Sequence, residues 1–472
     1  MSSIRSRLAS LKSSSAAPKR EAAPPPEEGP WSALGCRLQE TEEGAFIYRA
    51  RRFSSEHSHG NYELGKLTES AHLLAGCFRL PEGETVAAER LLFFDTETTG
   101  LGIGAGNIPF MVGLGFYEAG QFQVEQLLIR NPAEERAMLA YLERKLARYH
   151  YMVSFNGRTF DWPLLQNRFV LNRMKQAAAH CLQLDLLYPS RAIWRTSLES
   201  CRLGNIELAR LGIRRIGDLP GSMAPAQYFK MLADGNPEHM RDVLEHNEND
   251  ILTLAVLAHH FALIAGGQAS WEEMELEELY RTAVWLSAAG KAVLADRLFV
   301  MVLNGHAGKS EGEGSAAGLL EYEPEGAGTG HPSGSSRSWS YWPLVAAHYK
   351  KKGRIAEAVP LWQQYTAHAA QLRTAMVEPF IELAMYCEHT IKDYTTALEY
   401  TEEAQRVALQ RSSLVRRSKE TNEQLAALRK RKDRLQAKLA RQAEGTQAAK
   451  RKKSANPPAN RAPRPHYAGE LL

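Results

Sequence analysis

The sequence predicts an α/β domain with a mixed sheet flanked by helices, followed by an all-α region of helical repeats and a basic C-terminal helix and tail. Two observations lead to this prediction. Residues 91–262 alternate short apolar, strand-like runs with helix-like runs, the pattern of a layered α/β fold. Residues 271–410 instead carry helix-length segments only, with Ala and Gly at the expected close contacts.

The α/β elements follow one another in a clear order. "RLLFFDTETTG" indicates a buried strand, and "FMVGLGFYEAGQFQVEQLLI" indicates a hairpin with a Glu-Ala-Gly turn. "PAEERAMLAYLERKLARY" is typical of a helix with Pro132 in its first turn. "HYMVSFNG" and "HCLQLDLLYP" predict two more strands, separated by the helix "DWPLLQNRFVLNRM". Residues 195–262 are mostly helical and end in "MRDVLEHNENDILTLAVLAHHFALI".

The region after the α/β domain consists of predicted helical pairs. "ELYRTAVWLSAAGKAVLADRLFVMVL", "WPLVAAHYKKKGRIAEAVPLWQQYTAH" and "PFIELAMYCEHTIKDYTTALEYTEEAQRVA" each have the length of a helical hairpin. Their recurring pattern of Ala, Leu and Tyr resembles tetratricopeptide repeats. Leucines at three- and four-residue steps over 414–442 predict a basic helix, as in a marginal coiled coil.

Composition sets the domain bounds. Residues 1–30 are rich in Ser, Ala and Pro and hold too little apolar material to fold, so we expect disorder there. We predict the α/β domain over 31–265 and the repeats over 271–410, with a disordered Gly- and Ser-rich insertion at 308–338. Residues 411–472 are then a basic helix and a disordered tail.

Composition also narrows the class of protein. The 472 residues are 44% hydrophobic and 24% charged, as in an ordinary globular protein. No apolar run reaches the length of a membrane span, and the N-terminus lacks a hydrophobic signal core. The five cysteines are scattered without CxxC pairs, which favours reduced thiols over a zinc site or disulfides. We therefore expect a cytoplasmic protein.

The positive charge of the chain is concentrated at its end. Residues 411–472 hold 17 Lys and Arg against 5 Asp and Glu, whereas the whole chain has a net charge of +4. Such a segment suits an acidic partner, nucleic acid being the commonest. A purely solubilising tail is equally compatible with the composition.

Four carboxylates end different elements of the α/β domain. Asp95 and Glu97 are two residues apart on a strand and so share one face. Asp161 opens a predicted helix, and Asp250 lies on another helix one turn after His246. Such acids would repel one another in a folded domain unless cations neutralised them. Two Mg²⁺ or Mn²⁺ ions, about 4 Å apart, would do so and could support phosphodiester hydrolysis.

These motifs carry a family resemblance. "DTETTG", "NGRTFDWPLL" and "HNENDILTL" resemble the three motifs of the DEDD 3′–5′ exonucleases, within the ribonuclease H-like superfamily. The YprB-like branch is similar also across "SCRLGNIEL" and "IGDLPGSMAPAQYF", and its members tend to end in tetratricopeptide-like helices. The resemblance extends over about residues 31–265 and more loosely over 275–405. It implies a ribonuclease H-like fold and a metal-dependent nuclease.

The resemblance also implies roles for individual residues. Asp95 would bridge both metal ions, Glu97 and Asp250 would complete the site of the ion that activates water, and Asp161 would hold the second ion. His246 would orient or deprotonate the attacking water, a task that suits an imidazole. The spacing His246-x3-Asp250 departs from the H-x4-D of the histidine branch and matches the Y-x3-D of the tyrosine branch. Since one residue turns a helical side chain by about 100°, His246 could reach the water differently or only support a ligand.

Simpler roles compete with these. Asp95 and Glu97 could form a capping pair, Asp161 could be an N-cap, and His246 with Asp250 could be an exposed helical pair. Thr98 and Asn156 are candidate substrate-binding residues, although Asn156 could simply form a turn.

Two further features receive structural roles. Asp185 in "LDLLYP" is expected to hydrogen-bond neighbouring backbone. "GLGIGAG", residues 100–106, lacks a P-loop lysine and precedes a strand, so it does not indicate nucleotide binding.

The function expected from the sequence is a divalent-metal-dependent 3′–5′ exonuclease acting on the 3′ ends of single-stranded DNA or RNA. A protein partner could bind the helical repeats, and no membrane partner is expected. Two alternatives stay open: a nucleic-acid-binding scaffold whose repeats bind proteins, and a ribonuclease H-type endonuclease that cuts internally.

Overall fold

The computed structural model describes residues 29–305, 338–414 and 419–455, apart from residues 79, 82, 101, 103, 105, 175–179, 370, 371 and 373. The predicted disorder at 1–30, 308–338 and the C-terminal end therefore lies outside the described residues, except at 29, 30 and 338. The chain forms two compact units. The first runs to Ser270 and includes Trp285–Lys291, and the second takes Trp271–Val284 and continues from Ala292.

The first unit is built on a mixed sheet, as the sequence predicts. The strands are β1 (Cys36–Thr41), β2 (Gly44–Phe53), β3 (Ser58–His59), β4 (Tyr62–Glu63), β5 (Leu91–Thr98), β6 (Pro109–Glu118), β7 (Gln121–Leu128), β8 (Tyr151–Ser154) and β9 (Leu182–Asp185). Among the described residues, seven of them form one sheet in the order β1-β2-β7-β6-β5-β8-β9, and β3 pairs with β4. β5 is antiparallel to β6 and parallel to β8, and β8 is parallel to β9.

Strand β5 lies inside the sheet, which explains its run of apolar residues. Leu91, Leu92, Phe93 and Phe94 are at most 2% exposed, so both faces of the strand are covered. The predicted hairpin is present as β6 and β7, joined at Ala119 and Gly120. Both turn residues have positive φ, 52° and 75°, the backbone that a tight two-residue hairpin turn requires.

Helices cover the sheet of the first unit. They are α1 (Lys66–Ser70), α2 (Glu135–Leu146), α3 (Asp161–Leu171), α4 (Leu187–Trp194), α5 (Leu203–Ile206), α6 (Ala224–Asp234) and α7 (Arg241–Gly266). The stretch Pro237–Gly266 is long and apolar enough to cross a membrane by length and composition alone, so the expectation that no run reaches that length is wrong. This stretch is 78% buried over its apolar window, because α7 is a core helix that packs on β5 and β6.

The second unit is helical. Helix α8 (Leu276–Ala288) begins in the second unit, and its residues from Trp285 onwards are assigned to the first. The other helices of the second unit are α9 (Ala292–Leu303), α10 (Trp342–Lys351), α11 (Ile355–Ala369), α12 (Glu378–Tyr386), α13 (Tyr394–Leu414) and α14 (Lys419–Ala455). α10 packs against α11, and α12 packs against α13, as expected of helical pairs. The helical character of this region is thus present, whereas the tetratricopeptide likeness stays a prediction.

The basic C-terminal helix α14 is anchored within the second unit. Leu425, Leu428 and Leu435 are at most 7% exposed. The carboxylate of Glu388, whose side chain is 0% exposed, accepts hydrogen bonds from Arg434 Nη2 and Lys438 Nζ, each at 2.8 Å. Part of the predicted excess of positive charge therefore neutralises a buried acid of the same unit.

Candidate functional site

Asp95 and Glu97 lie in the second half of β5, where the pairing with β6 becomes irregular between Glu97 and Thr98. Burial raises the pKa of the Asp95 carboxyl well above its usual range, and the neighbouring charges of Asp250, Asp161 and Glu97 raise it further. Burial likewise raises the pKa of Glu97, with Asp250, Asp161 and Asp218 adding to the effect. The two acids predicted from the motif therefore lie close to several other carboxylates in a poorly solvated environment.

Asp161 is the first residue of α3 and points towards β5. Thr96 Oγ1 donates a hydrogen bond to Asp161 Oδ1. Burial raises the pKa of Asp161 to about 6, although the hydrogen bond from Thr96 lowers it. The N-cap position belongs to Phe160, so Asp161 is not the N-cap of this helix.

Helix α7 contacts Asp95 through a residue that the sequence did not single out. Asn247 Nδ2 donates to Asp95 Oδ2 at 3.0 Å, and Gln126 Nε2 donates to Asn247 Oδ1 at the same distance. Gly113 pairs with Asp95 in the sheet. A Cβ at Gly113 would lie 2.1 Å from Asn247 Oδ1, so only glycine leaves room for this amide.

Asp250 is paired with a buried arginine. Arg215 Nη2 donates to Asp250 Oδ1 and, at 2.5 Å, to Glu207 Oε1, while Arg215 Nη1 donates to Asp218 Oδ2 at 3.0 Å. The side chain of Arg215 is 13% exposed and that of Glu207 only 1%. Burial lowers the pKa of Arg215, but Asp250 and Glu207 outweigh it and raise the pKa overall. Arg215 therefore carries a full positive charge inside the acidic site.

His246 lies beside the same arginine. Its Nδ1 is 2.9 Å from Asp218 Oδ2 and 3.3 Å from Arg215 Nη1, and its Nε2 is 3.6 Å from Asp250 Oδ2. Nδ1 either donates to Asp218 or accepts from Arg215, depending on the tautomer. The side chain is 14% exposed, so His246 and Asp250 are not an exposed helical pair.

The two candidate substrate-binding residues make local contacts. Thr98 Oγ1 donates to the backbone oxygen of Gly100 at 2.8 Å. Asn156 is exposed, has a positive φ of 68°, and accepts a hydrogen bond from Thr159 Oγ1, which is the geometry of a turn. Asp185 accepts hydrogen bonds from the backbone nitrogens of Asn156 at 2.8 Å and Leu187 at 3.0 Å, the structural role expected of it.

The chemistry of the donor set suits a hard divalent cation at Asp95, Glu97 and Asp161. Their oxygens are the ligands that Mg²⁺ and Mn²⁺ prefer, and their raised pKa values reflect charge that a cation would offset. Within the part of the chain that the structure describes, however, no three His, Cys, Asp or Glu side chains are arranged closely enough to hold a metal. Asp250 in particular is held by Arg215. The expected four-carboxylate ligand set is therefore not assembled in this conformation.

The structure adds residues that sequence reasoning missed: Glu207, Arg215, Asp218 and Asn247. Glu207 lies in "SCRLGNIEL" and Asp218 in "IGDLPGSMAPAQYF", two segments that carry the family resemblance without a predicted role. Arg215 precedes the second segment, and Asn247 is next to His246 in the third motif. For Glu207 and Asp218, a charged residue within a segment of the resemblance is the signal that could have identified them.

Part of the first unit is similar to a known family of domains. Residues 92–262 match the RNase_H_2 family of the RNase_H superfamily, a range that begins in β5 and ends in α7. This range includes every predicted metal-ligating residue and His246. This similarity supports a nuclease-type function.

Similar proteins include one of bacterial origin. The chain is 29% identical over 379 residues to "Uncharacterized protein YprB" of Bacillus subtilis (strain 168), covering 79% of this chain and 84% of that protein. A solved structure, the family B DNA polymerase from the hyperthermophilic archaeon Pyrobaculum calidifontis, is 13% identical with a TM-score of 0.32. That similarity covers 45% of this chain and 30% of the polymerase chain, and a score of this size does not establish a shared fold.

Proposed function

We propose that the first unit is a divalent-metal-dependent 3′–5′ exonuclease that hydrolyses phosphodiester bonds at the 3′ ends of single-stranded DNA or RNA. The observation that carries this proposal is the group of carboxylates formed by the half-buried Asp95 and the buried Glu97 and Asp161, within the range that matches the ribonuclease H superfamily. Burial raises the pKa of each carboxyl, and the charge of Asp161 raises the pKa of Asp95 and Glu97 further, which a structural role would not require.

The chain's own residues would divide the work of hydrolysis. Asp95, Glu97 and Asp161 would hold a Mg²⁺ or Mn²⁺ ion through their oxygens, and the two-ion site implied by the family resemblance would also need Asp250. Bound divalent ions lower the pKa of a water ligand and stabilise the leaving oxygen of a phosphodiester. Asn247 fixes one oxygen of Asp95 by its hydrogen bond of 3.0 Å.

His246 is the proposed proton acceptor. Its Nδ1 contact with Asp218, at 2.9 Å, orients the ring and leaves Nε2 on the side of Asp250. A histidine held by a carboxylate at one nitrogen can accept a proton at the other. The predicted contacts of Thr98 and Asn156 with the substrate are part of the same proposal.

An assay with end-labelled strands tests the function. Wild-type protein with Mn²⁺ or Mg²⁺ should release mononucleotides from 3′-labelled single strands and shorten 5′-labelled ones stepwise. Asp95→Asn should abolish this, whereas Asp242→Asn, which changes an exposed aspartate of α7, should not.

The same assay separates the alternatives. Absence of metal-dependent degradation by the wild type would refute the nuclease and leave a nucleic-acid-binding scaffold. Products that begin at internal positions would indicate a ribonuclease H-type endonuclease. Parallel DNA and RNA strands identify the preferred sugar.

We further propose that the helical pairs of the second unit are tetratricopeptide-like and bind a protein partner. Paired helices of this kind form concave surfaces that accept peptides. The five cysteines are free thiols, which suits a reducing compartment, and we propose a cytoplasmic location. Copurification of a partner with the intact chain, lost on substitutions in α10–α13, would support the first of these proposals.

A further inference from the structure

Arg215 is placed where it can control the occupancy of the acidic site. Its guanidinium bonds Glu207, Asp218 and Asp250 at the same time. Glu207 is itself fixed by Thr253, whose Oγ1 donates to Glu207 Oε1 at 2.5 Å. Glu207 therefore gives Arg215 a rigid anchor on one side, with Asp250 on the other.

The charge of the site is divided unevenly. Asp95, Glu97 and Asp161 have no ion-pair partner among the described residues, although Asn247 donates a hydrogen bond to Asp95 and Thr96 donates one to Asp161. Asp250, in contrast, has its Oδ1 bonded to Arg215 and its Oδ2 facing His246. A metal ion could not bind Asp250 Oδ1 until the guanidinium leaves that oxygen.

There is room for Arg215 to leave. A cavity of about 320 Å³ borders the arginine and is lined in part by His59, Gly212 and Asn249. Glu207 and Asp218 would keep two of the guanidinium contacts if the side chain shifted away from Asp250. Release of Asp250 therefore does not leave a buried charge without a partner.

We propose that Arg215 and a divalent metal ion compete for Asp250, so that the guanidinium neutralises this carboxylate until an ion takes its place. The inference rests on the proposed metal-dependent function and adds a residue that determines metal occupancy. Arg215 is a positioning residue, since it acts through Asp250 and His246. Mutual exclusion of two cations follows from their repulsion at a shared oxygen in a buried site.

Counting bound Mn²⁺ tests the proposal without any turnover. Electron paramagnetic resonance of free Mn²⁺ gives the number and affinity of bound ions for wild type, Arg215→Gln and Arg214→Gln, whose arginine is exposed. Arg215→Gln should bind an ion at least about tenfold more tightly than wild type, and Arg214→Gln should match wild type. This increase in Mn²⁺ affinity should disappear when Asp250→Asn is added, because the carboxylate for which the metal ion and Arg215 compete is then absent.

Several outcomes would overturn the proposal. Unchanged or weaker Mn²⁺ binding by Arg215→Gln would contradict it. An increase in Mn²⁺ affinity that persists when Asp250→Asn is added would also contradict it. If thermal unfolding shows that Arg215→Gln is not folded, the double variant Arg215→Gln, Glu207→Gln is measured instead. It removes one charge of each sign, and the same increase in Mn²⁺ affinity is expected of it.

The metal-binding result and the nuclease result are independent. If Mn²⁺ binding behaves as expected but no strand is degraded, the competition stands and the exonuclease proposal fails. If wild type degrades strands yet binds Mn²⁺ as tightly as Arg215→Gln, the exonuclease stands and the competition fails.

Discussion

Neutralising one carboxylate of the acidic site should stabilise the metal-free protein. The substitution is Asp161→Asn, because the amide oxygen of asparagine can still accept the hydrogen bond that Thr96 donates to Asp161. Most substitutions of buried polar residues destabilise a fold. The opposite sign is expected here, since the wild-type residue is a carboxylate whose ionisation is opposed by burial and by neighbouring acids.

The size of the effect follows from the pKa of Asp161, which is raised from 3.8 to about 6. Between these values the folded protein binds the proton more tightly than the unfolded chain. The free energy of unfolding therefore falls as pH rises through this range. A displacement of about two pH units corresponds to ~3 kcal/mol as an upper limit. Burying the asparagine amide also has a cost, so the gain should not exceed this limit, and we expect Asp161→Asn to be ~1–3 kcal/mol more stable than wild type above pH 6.

Urea unfolding in the presence of a chelator measures this difference at several pH values. The gap between Asp161→Asn and wild type should be largest near pH 7.5 and vanish below about pH 4. Saturating Mn²⁺ should reverse the order, because the wild type gains a ligand that the variant lacks. Glu56→Gln, an exposed acid of the same unit, should stay within ~0.5 kcal/mol of wild type. A variant that is less stable than wild type at pH 7.5 without metal would refute the electrostatic reasoning.

Three further predictions concern other parts of the chain. Gly113→Ala should displace the side chain of Asn247, lower the free energy of unfolding by ~1–3 kcal/mol and reduce nuclease turnover. Normal turnover would contradict the role of Asn247. Glu388→Gln should destabilise the second unit by ~1–2 kcal/mol at pH 7 in urea unfolding. Burial raises the pKa of Glu388, but the hydrogen bonds from Arg434 and Lys438 outweigh it and lower the pKa to about 2. The stability difference between wild type and Glu388→Gln should therefore shrink as the pH falls from 4.5 towards 2, and a difference that does not change with pH would contradict this role of Glu388. His246→Gln should reduce turnover ~100-fold or more while Mn²⁺ affinity stays within about threefold, and near-normal turnover would remove His246 from the base role.

The sequence predicted the layout of the α/β unit because its signals are local. The apolar run of β5 and the turn between β6 and β7 are each contained within a few consecutive residues, and both are present. The length of α7 was harder to judge. Its stretch is as long and apolar as a membrane span because the helix is buried in the core, and burial is a property of the whole unit.

For the basic helix α14 too, the sequence predicts the helix but not its contacts in the folded unit. Its leucines indicate a helix, and its net charge suggests an acidic partner outside the chain. Only the packed structure brings Glu388 against Arg434 and Lys438, residues 46 and 50 positions away along the chain.

The sequence by itself predicted which carboxylates belong to the candidate site. Asp95 and Glu97 share a strand face by the period of two, and the order of the later motifs supplies Asp161 and Asp250. Only the tertiary structure decided how those charges are balanced. The Arg215–Asp250 pair joins residues 35 apart, and Asn247 reaches Asp95 across 152 residues. No local pattern encodes such contacts, because the pairing of a buried charge depends on which segments the fold brings together.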